Sequence, residues 1–228
     1  RALGEEVGRL YAGIHSAHGV EVRTGTTVES WHTDSDRVTA VTLSDGRREA
    51  VELVLMGIGI DPNLDVATAL ARPKERGGVS VDEGLRATPG LWCGGDIAIQ
   101  KHPLLGRSIR VEHWEVAKAH GSTIGTAIAG HPGPHRTIPY FWSDQYDVSL
   151  EYRGNASGEH QLAWRGDREG QKFSVFYLRE GVVDAVLSIN DGDTNVTAEG
   201  LIKSRRRVDA AELADPATDI AELAAVQA

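Results

Sequence analysis

The sequence predicts a mixed α/β segment followed by a smaller α+β segment built on an antiparallel sheet. Three observations carry this. Helical and strand periodicities alternate as far as Ala129. Chain breakers then cluster at Gly130, Pro132, Gly133 and Pro134. Past them, a series of strand-like runs leads into one helical run.

Leu3, Val7, Leu10, Tyr11, Ile14 and Ala17 recur at helical spacing, and Gly19 follows as a stop. Val20–Arg23 reads as a short strand ending near Gly25. Val38 to Leu43 alternates, Ser44-Asp45-Gly46 supplies turn chemistry, and Ala50 to Met56 reads as the returning strand. The apolar run Val51 to Ile60, broken by Glu52, Gly57 and Gly59, has the length of a buried strand. A short helix is expected over Leu64 to Ala71, then a strand at Val79–Val81. Leu91-Trp92-Cys93 is another short strand, running directly into Gly94-Gly95-Asp96. Ile97 to Arg110 shows no clean period and reads as a loop.

Glu112 to Ala129 reads as a helix with Trp114, Ala117, Gly121, Ile124 and Ile128 on one stripe. Its small residues, among them Ala119, Ser122, Gly125 and Ala127, suggest close packing on a sheet or a ligand. Past the breakers, strands are expected at 147–152, 161–165, 172–178 and 182–189, with Glu180-Gly181 closing the last hairpin. A helix from Thr194 to Arg206 follows, with Asp193 as its N-cap. The Ala- and acid-rich tail from Val208 reads as helical or loosely ordered.

Composition narrows the function classes. The net charge is −9, which argues against nucleic acid as a partner, since phosphate binding needs clustered positive charge. The run Arg205-Arg206-Arg207 reads as a solvated helix face. No stretch approaches the roughly 18 apolar residues of a membrane span. With no secretion signal, Asn155-Ala156-Ser157 and Asn195-Val196-Thr197 read as chance matches to the glycosylation pattern. A cytoplasmic location is expected. Cys93 stands alone, so no intrachain disulfide, Cys-x-x-Cys pair or cysteine zinc cluster can form. Its apolar setting suggests a buried, inert thiol, and no metal site is expected. Met56 is the only methionine, and Arg1 falls close to a helix start; the expectation is a piece of a longer protein.

The chemistry-bearing residues begin at Gly94-Gly95-Asp96. Glycines allow close approach of backbone to ligand, and a carboxylate at a strand end can accept hydrogen bonds from sugar or ribityl hydroxyls. A tight turn with a surface aspartate is the other reading of these residues alone. An apolar strand ending in Gly57-Ile58-Gly59-Ile60-Asp61-Pro62-Asn63 precedes them. Between the two lies Gly78-Val79-Ser80-Val81-Asp82-Glu83-Gly84-Leu85-Arg86-Ala87-Thr88. After them come Val111-Glu112-His113-Trp114 and Pro139-Tyr140-Phe141-Trp142-Ser143-Asp144-Gln145.

Taken together, these stretches resemble the FAD-dependent pyridine-nucleotide reductases of the ferredoxin, rubredoxin and putidaredoxin branch, which includes the apoptosis-inducing-factor flavoproteins. The resemblance implies partial FAD- and NAD(P)-binding Rossmann-like lobes, then a small C-terminal reductase domain with an antiparallel sheet and helix. Residues 1–57 would be the second half of an NAD(P) domain, 58–133 the last segment of an FAD domain, and 134–228 the C-terminal domain. It implies FAD and NAD(P)H as cofactors, and a ferredoxin- or rubredoxin-type iron–sulfur protein as electron acceptor. The absent N-terminal part of the same protein, and a second copy of the chain, are further partners it suggests.

On this resemblance, Gly95 and Asp96 would meet the ribityl chain. Glu112, His113 and Trp114 would lie near the isoalloxazine at the positive end of a helix, and Trp142 would cover it from the next domain. No side chain is needed as a nucleophile. Each residue also has a plainer reading: His113 as a capping or surface histidine, Trp114 as core, Trp142 as an interface tryptophan. The sequence departs from the family in lacking both Gly-x-Gly-x-x-Gly fingerprints, so it carries part of each nucleotide pocket. Two rival functions follow: an inert module for dimerisation or partner docking, and a monooxygenase or peroxide-reducing flavoenzyme of the same fold.

Overall fold

The computed structural model describes residues 3–70 and 77–225. Ala71, at the end of the expected short helix, lies outside them. The chain separates into two compact units, Arg1–Ile60 and Asp61–Ala228.

In the first unit, helix α1 (Glu5–Ala17) buries Val7 and Ile14, the apolar stripe read from the sequence. Strands β1 (Val28–Asp34), β2 (Arg37–Leu43) and β3 (Arg48–Ala50) form an antiparallel sheet in that order. Two expectations fail here. Val20–Arg23 forms no strand, and past Ala50 the expected returning strand is extended chain without a ladder. The run 51–60 is not buried either: Leu53 is 86% and Leu55 94% exposed. Apolar composition favours a strand, but a strand is a property of pairing: Val20–Arg23 joins no ladder, and pairing with β2 ends at Ala50 and the Val51 amide, which donates to the Thr39 carbonyl at 3.1 Å. The chain that does pair with β2 is β1, whose mostly exposed residues carry little apolar signal.

The second unit opens with α2 (Asp65–Leu70) and the short strands β4 (Val79–Val81), β5 (Arg86–Thr88) and β6 (Leu91–Trp92). A 3₁₀ turn over Gly95–Ile97 leads into β7 (Ala98–His102) and β8 (Arg107–Ile109). β4 and β7 run parallel, and β8 returns antiparallel to β7. The segment expected to be a loop is thus a hairpin. Its inward positions, Ala98, Gln100 and His102, include two polar residues, which hid the alternation.

Helix α3 (Trp114–Ile128) follows, then β9 (Tyr140–Gln145), β10 (Val148–Gly154), β11 (Gln161–Asp167), β12 (Lys172–Arg179) and β13 (Val182–Ile189). The last five form one antiparallel sheet in the order β11-β12-β13-β10-β9. Positive φ at Glu180 and Gly181 turns the chain between β12 and β13. Helices α4 (Gly192–Ser204), α5 (Ala210–Ala214) and α6 (Ile220–Ala224) complete the unit.

Ala198, Leu201 and Ile202 of α4 pack on Phe176, Leu178, Val183 and Val186 of this sheet. Leu105, Ile109, Val111 and Val116 join the same core, so the chain on either side of the Gly130–Pro134 breakers shares one apolar interior. A second cluster holds Val79, Val81, Leu85, Cys93 and Ala98, with Ile124 of α3 against it. Burial there pushes the Cys93 thiol up, away from the reactive thiolate.

Two local expectations are corrected. The N-cap of α4 is Asp191, not Asp193, and its carboxylate accepts from Ser174 Oγ at 2.7 Å rather than capping the helix. The basic run is not a helix face, because α4 ends at Ser204. Arg205 is left-handed, with φ 54°, and donates to the Val183 carbonyl and the Asp184 carboxylate, while Arg206 donates to the Leu223 and Ala225 carbonyls. Burial opposes ionisation of Asp184. Hydrogen bonds from His160 and Arg205, with the charges of Arg205 and Arg107, outweigh it and hold the carboxyl below its usual range.

Candidate functional site

The site forms where α3 begins. Trp114 opens the helix and His113, in extended conformation, caps it with no side-chain hydrogen bond, so the expected start at Glu112 moves by two residues. The first amides of such a helix have no partners within it, and the dipole makes this end attractive to negative charge. Arg110 fixes the approach. Its Nη1 donates to Glu112 Oε1 at 2.5 Å and to the Asp96 carbonyl at 3.0 Å. One guanidinium therefore links the Gly-Gly-Asp loop to the helix entry.

Strand β9 supplies the facing side. Phe141 meets the His113 imidazole edge-on at 4.7 Å, and Trp142 meets Trp114 edge-on at 6.2 Å. Tyr140 stacks on Trp142 at 5.8 Å, and its hydroxyl donates to Glu151 Oε2 at 3.0 Å. Lys118 Nζ lies 4.9 Å from the centre of the Trp114 ring. Glu112, His113, Trp114, Glu115, Tyr140, Phe141 and Trp142 line one open cleft of about 410 Å³. That is within the range of small-molecule sites.

His113 Nδ1 is buried without a hydrogen-bond partner. Burial pushes the His113 pKa down, against the charges of Asp96 and Glu112, which favour the protonated ring.

Of the residues singled out from the sequence, Glu112, His113, Trp114 and Trp142 share this cleft. Asp96 and Gly95 do not line it and are joined to it through Arg110. The expected stripe on α3 is wrong at both ends: Trp114 is 65% exposed and Ile128 also faces outward, while Val116, His120 and Ala127 are the buried positions. Trp114 is therefore not core. Arg110, Glu115, Tyr140 and Phe141 were not assigned roles from the sequence. Tyr140 and Phe141 lie within the aromatic run already quoted, which was the available signal; Arg110 fell in the stretch that read as a loop.

The loop itself has unusual backbone. Gly95 has φ +70°, and a β-carbon at Gly94 would lie 2.9 Å from Ile124 Cδ1 and 3.1 Å from His120 Cβ. The Gly-Gly pair thus lets the loop lie directly on α3.

Comparison with known proteins supplies the family. Residues 1–121 match the family described as pyridine nucleotide-disulphide oxidoreductase. The chain belongs to that family. Residues 140–224 also match the domain described as reductase C-terminal. The 5,5'-dehydrodivanillate O-demethylase ferredoxin reductase subunit of Sphingobium sp. is 37% identical over all of this chain and 56% of its own length. Putidaredoxin reductase of Pseudomonas putida is 31% identical over 99% of this chain and 54% of its own. The chain thus spans about half the length of the curated relatives it matches.

Among solved structures, the ferredoxin reductase for the CYP199A2 system from Rhodopseudomonas palustris superposes with a TM-score of 0.90 at 29% identity, over 97% of this chain and 55% of that one. The reductase in a covalent putidaredoxin reductase–putidaredoxin complex gives 0.88 at 31% identity, over 95% and 52%. The mixed α/β fold is that of this oxidoreductase family. The family's name refers to disulphide chemistry, but this chain's single buried Cys93 offers no pair for it.

Proposed function

We propose that the protein is an FAD-dependent reductase that takes electrons from NAD(P)H and passes them to a ferredoxin- or rubredoxin-type iron–sulfur protein. The observation that carries this reading is the shared cleft. Four aromatic rings, the positive end of α3 and the buried, unpartnered His113 Nδ1 line one open cleft of a volume that suits a flat ring system. The names of the relatives, ferredoxin and putidaredoxin reductases, point the same way.

The residues present fit a flavin. Trp114 and Trp142 give apolar walls, 65% and 47% exposed and so available for contact. The α3 amides would favour negative charge on the ring's polar edge. His113 and Glu112 would supply polar contacts there, and Asp96 would accept from ribityl hydroxyls. When bound, flavin supplies the exchange between two-electron and one-electron carriers. The protein's own part is to orient the ring, exclude water from one face with Trp142, and hold the loop that carries Asp96. In this reading 1–57 serves the nicotinamide cofactor, 58–133 serves FAD, and 134–228 covers the ring and offers a face to the acceptor or to a second copy.

The test is NADH- and NADPH-dependent turnover with FAD present and with ferredoxin, oxygen or peroxide as acceptor. Ferredoxin should be reduced fastest. Fast turnover with oxygen or peroxide, and none with ferredoxin, would favour the rival flavoenzyme; no flavin uptake at all would favour the inert module.

A further inference from the structure

We propose that His120 is the positioning residue of the Gly94–Asp96 loop, anchoring it to α3 by accepting a hydrogen bond from the Gly95 amide at Nδ1. Its importance for cofactor binding rests on the flavin reading above; the anchor itself does not.

The bond is 3.1 Å long and joins the middle of α3 to the loop. The loop is pressed onto the same turn of the helix, because Gly94 leaves no room for a side chain between itself and His120 or Ile124. Gly95 holds a left-handed φ of +70°, which turns its N–H toward the imidazole. On its far side the loop is tied by Arg110 to the Asp96 carbonyl. Two side chains thus hold the loop, one from α3 and one from the chain leading into it. Removing the His120 bond leaves a half-buried amide without that partner and Asp96 held from one side only.

The acceptor must be a neutral ring with its proton on Nε2. The surroundings enforce neutrality. His120 is buried beside His135, whose ring centre is 4.6 Å away, and His135 Nδ1 bonds Thr123 Oγ1 at 3.0 Å. Gln100, His102, Thr137 and apolar side chains close the pocket, which has room for about one water at roughly 10 Å³. Among the described residues, the titratable groups facing His120 are His102 from β7 and His135 from the chain before β9. No carboxylate is among the described residues lining the pocket. Burial and the nearby His102 push the His120 pKa down to about 4.

Two variants and one spectrum test this. His120→Asn puts an amide oxygen where Nδ1 was and cannot titrate; His120→Leu keeps bulk and removes the acceptor. At pH 7 the Leu variant should exchange its Gly95 amide about tenfold faster and bind FAD about tenfold more weakly. The Asn variant should stay within about threefold on both counts. As the pH falls from 6 to 4, the FAD affinity of the parent should fall about twofold further than that of the Asn variant, with the loss setting in below about pH 5.

Equal Gly95 exchange in all three proteins overturns the anchor, as does an Asn variant damaged as much as the Leu variant. Imidazole nitrogen shifts of the parent need no variant: the Nε2–H tautomer at pH 7 supports the anchor, and the Nδ1–H tautomer ends it. If the parent takes up no FAD, the flavin reading falls, while Gly95 exchange and the tautomer still judge the anchor.

Discussion

Lowering the pH from 7 to 4.5 is expected to remove about 4 kcal/mol of folding stability, most of it through His120 and His135. Burial, with the neighbouring histidines, moves both pKa values from 6.5 to about 4. In the fold the two rings stay neutral until about pH 4, whereas in the unfolded chain they take protons from about 6.5 downward. Between those values the unfolded state binds more protons, so acid favours unfolding. The contribution is whole above the unfolded value and shrinks as the pH falls toward the folded one. At about 1.36 kcal/mol per unit, a displacement of about 2.5 units is worth roughly 3 kcal/mol per ring in full, and about 2 of that is lost by pH 4.5. Against the 5–15 kcal/mol typical of a domain, the loss is large. His102 and His113 are pushed in the same direction by burial and add to it. The lowered Asp184 carboxyl acts in a separate window, losing its contribution only as the pH falls through its folded value, below the usual 3.8. Urea unfolding followed by circular dichroism at pH 7, 6, 5 and 4.5 measures the slope. His120→Asn with His135→Asn should flatten it by up to about 2.7 kcal/mol per pH unit at its steepest. A parent curve level to within about 1 kcal/mol, or an unchanged slope in the double variant, would refute the argument.

Other perturbations separate site from scaffold. Trp142→Ala should weaken FAD binding about tenfold and change stability by less than about 1 kcal/mol, because the ring is half exposed and packs edge-on to Trp114; calorimetric titration and thermal melts check the two halves. Gly94→Ala forces a methyl to within 2.9 Å of Ile124 Cδ1 and should cost about 1–3 kcal/mol in urea unfolding. Asp82→Ala should cost about 1–2 kcal/mol by the same measure, since Asp82 Oδ1 accepts from the Gly84 and Arg86 amides, both at 2.9 Å, and so holds the turn that buries Leu85.

The regular elements were legible where the period is apolar. The stripe Val7–Ile14 gave α1, and alternating runs gave β10 to β13. Hairpin β7–β8 was hidden because Gln100 and His102 face inward and are satisfied there by carbonyl partners: Glu83 and His135 for Gln100, Thr137 for His102. A polar residue spaced by two from Ala98 was the signal to weigh. Val20–Arg23 and 51–56 failed for the opposite reason, apolar sequence without a ladder partner.

The helix entry and the aromatic strand facing it were readable because motif residues sit near one another in sequence. The buried polar cluster was not. His120, His135 and Gln100 come from three distant stretches, and nothing in a one-dimensional pattern marks a histidine as buried. Its position four residues after Val116 on α3 was the only hint.

The central claim is that Asp96, the start of α3 and Trp142 serve one flavin. Amide hydrogen exchange with and without saturating FAD tests it most directly. The account predicts protection concentrated in Gly94–Ile97, 113–117 and 140–142. Flavin that binds while protecting other segments, and leaves these three unchanged, would contradict it.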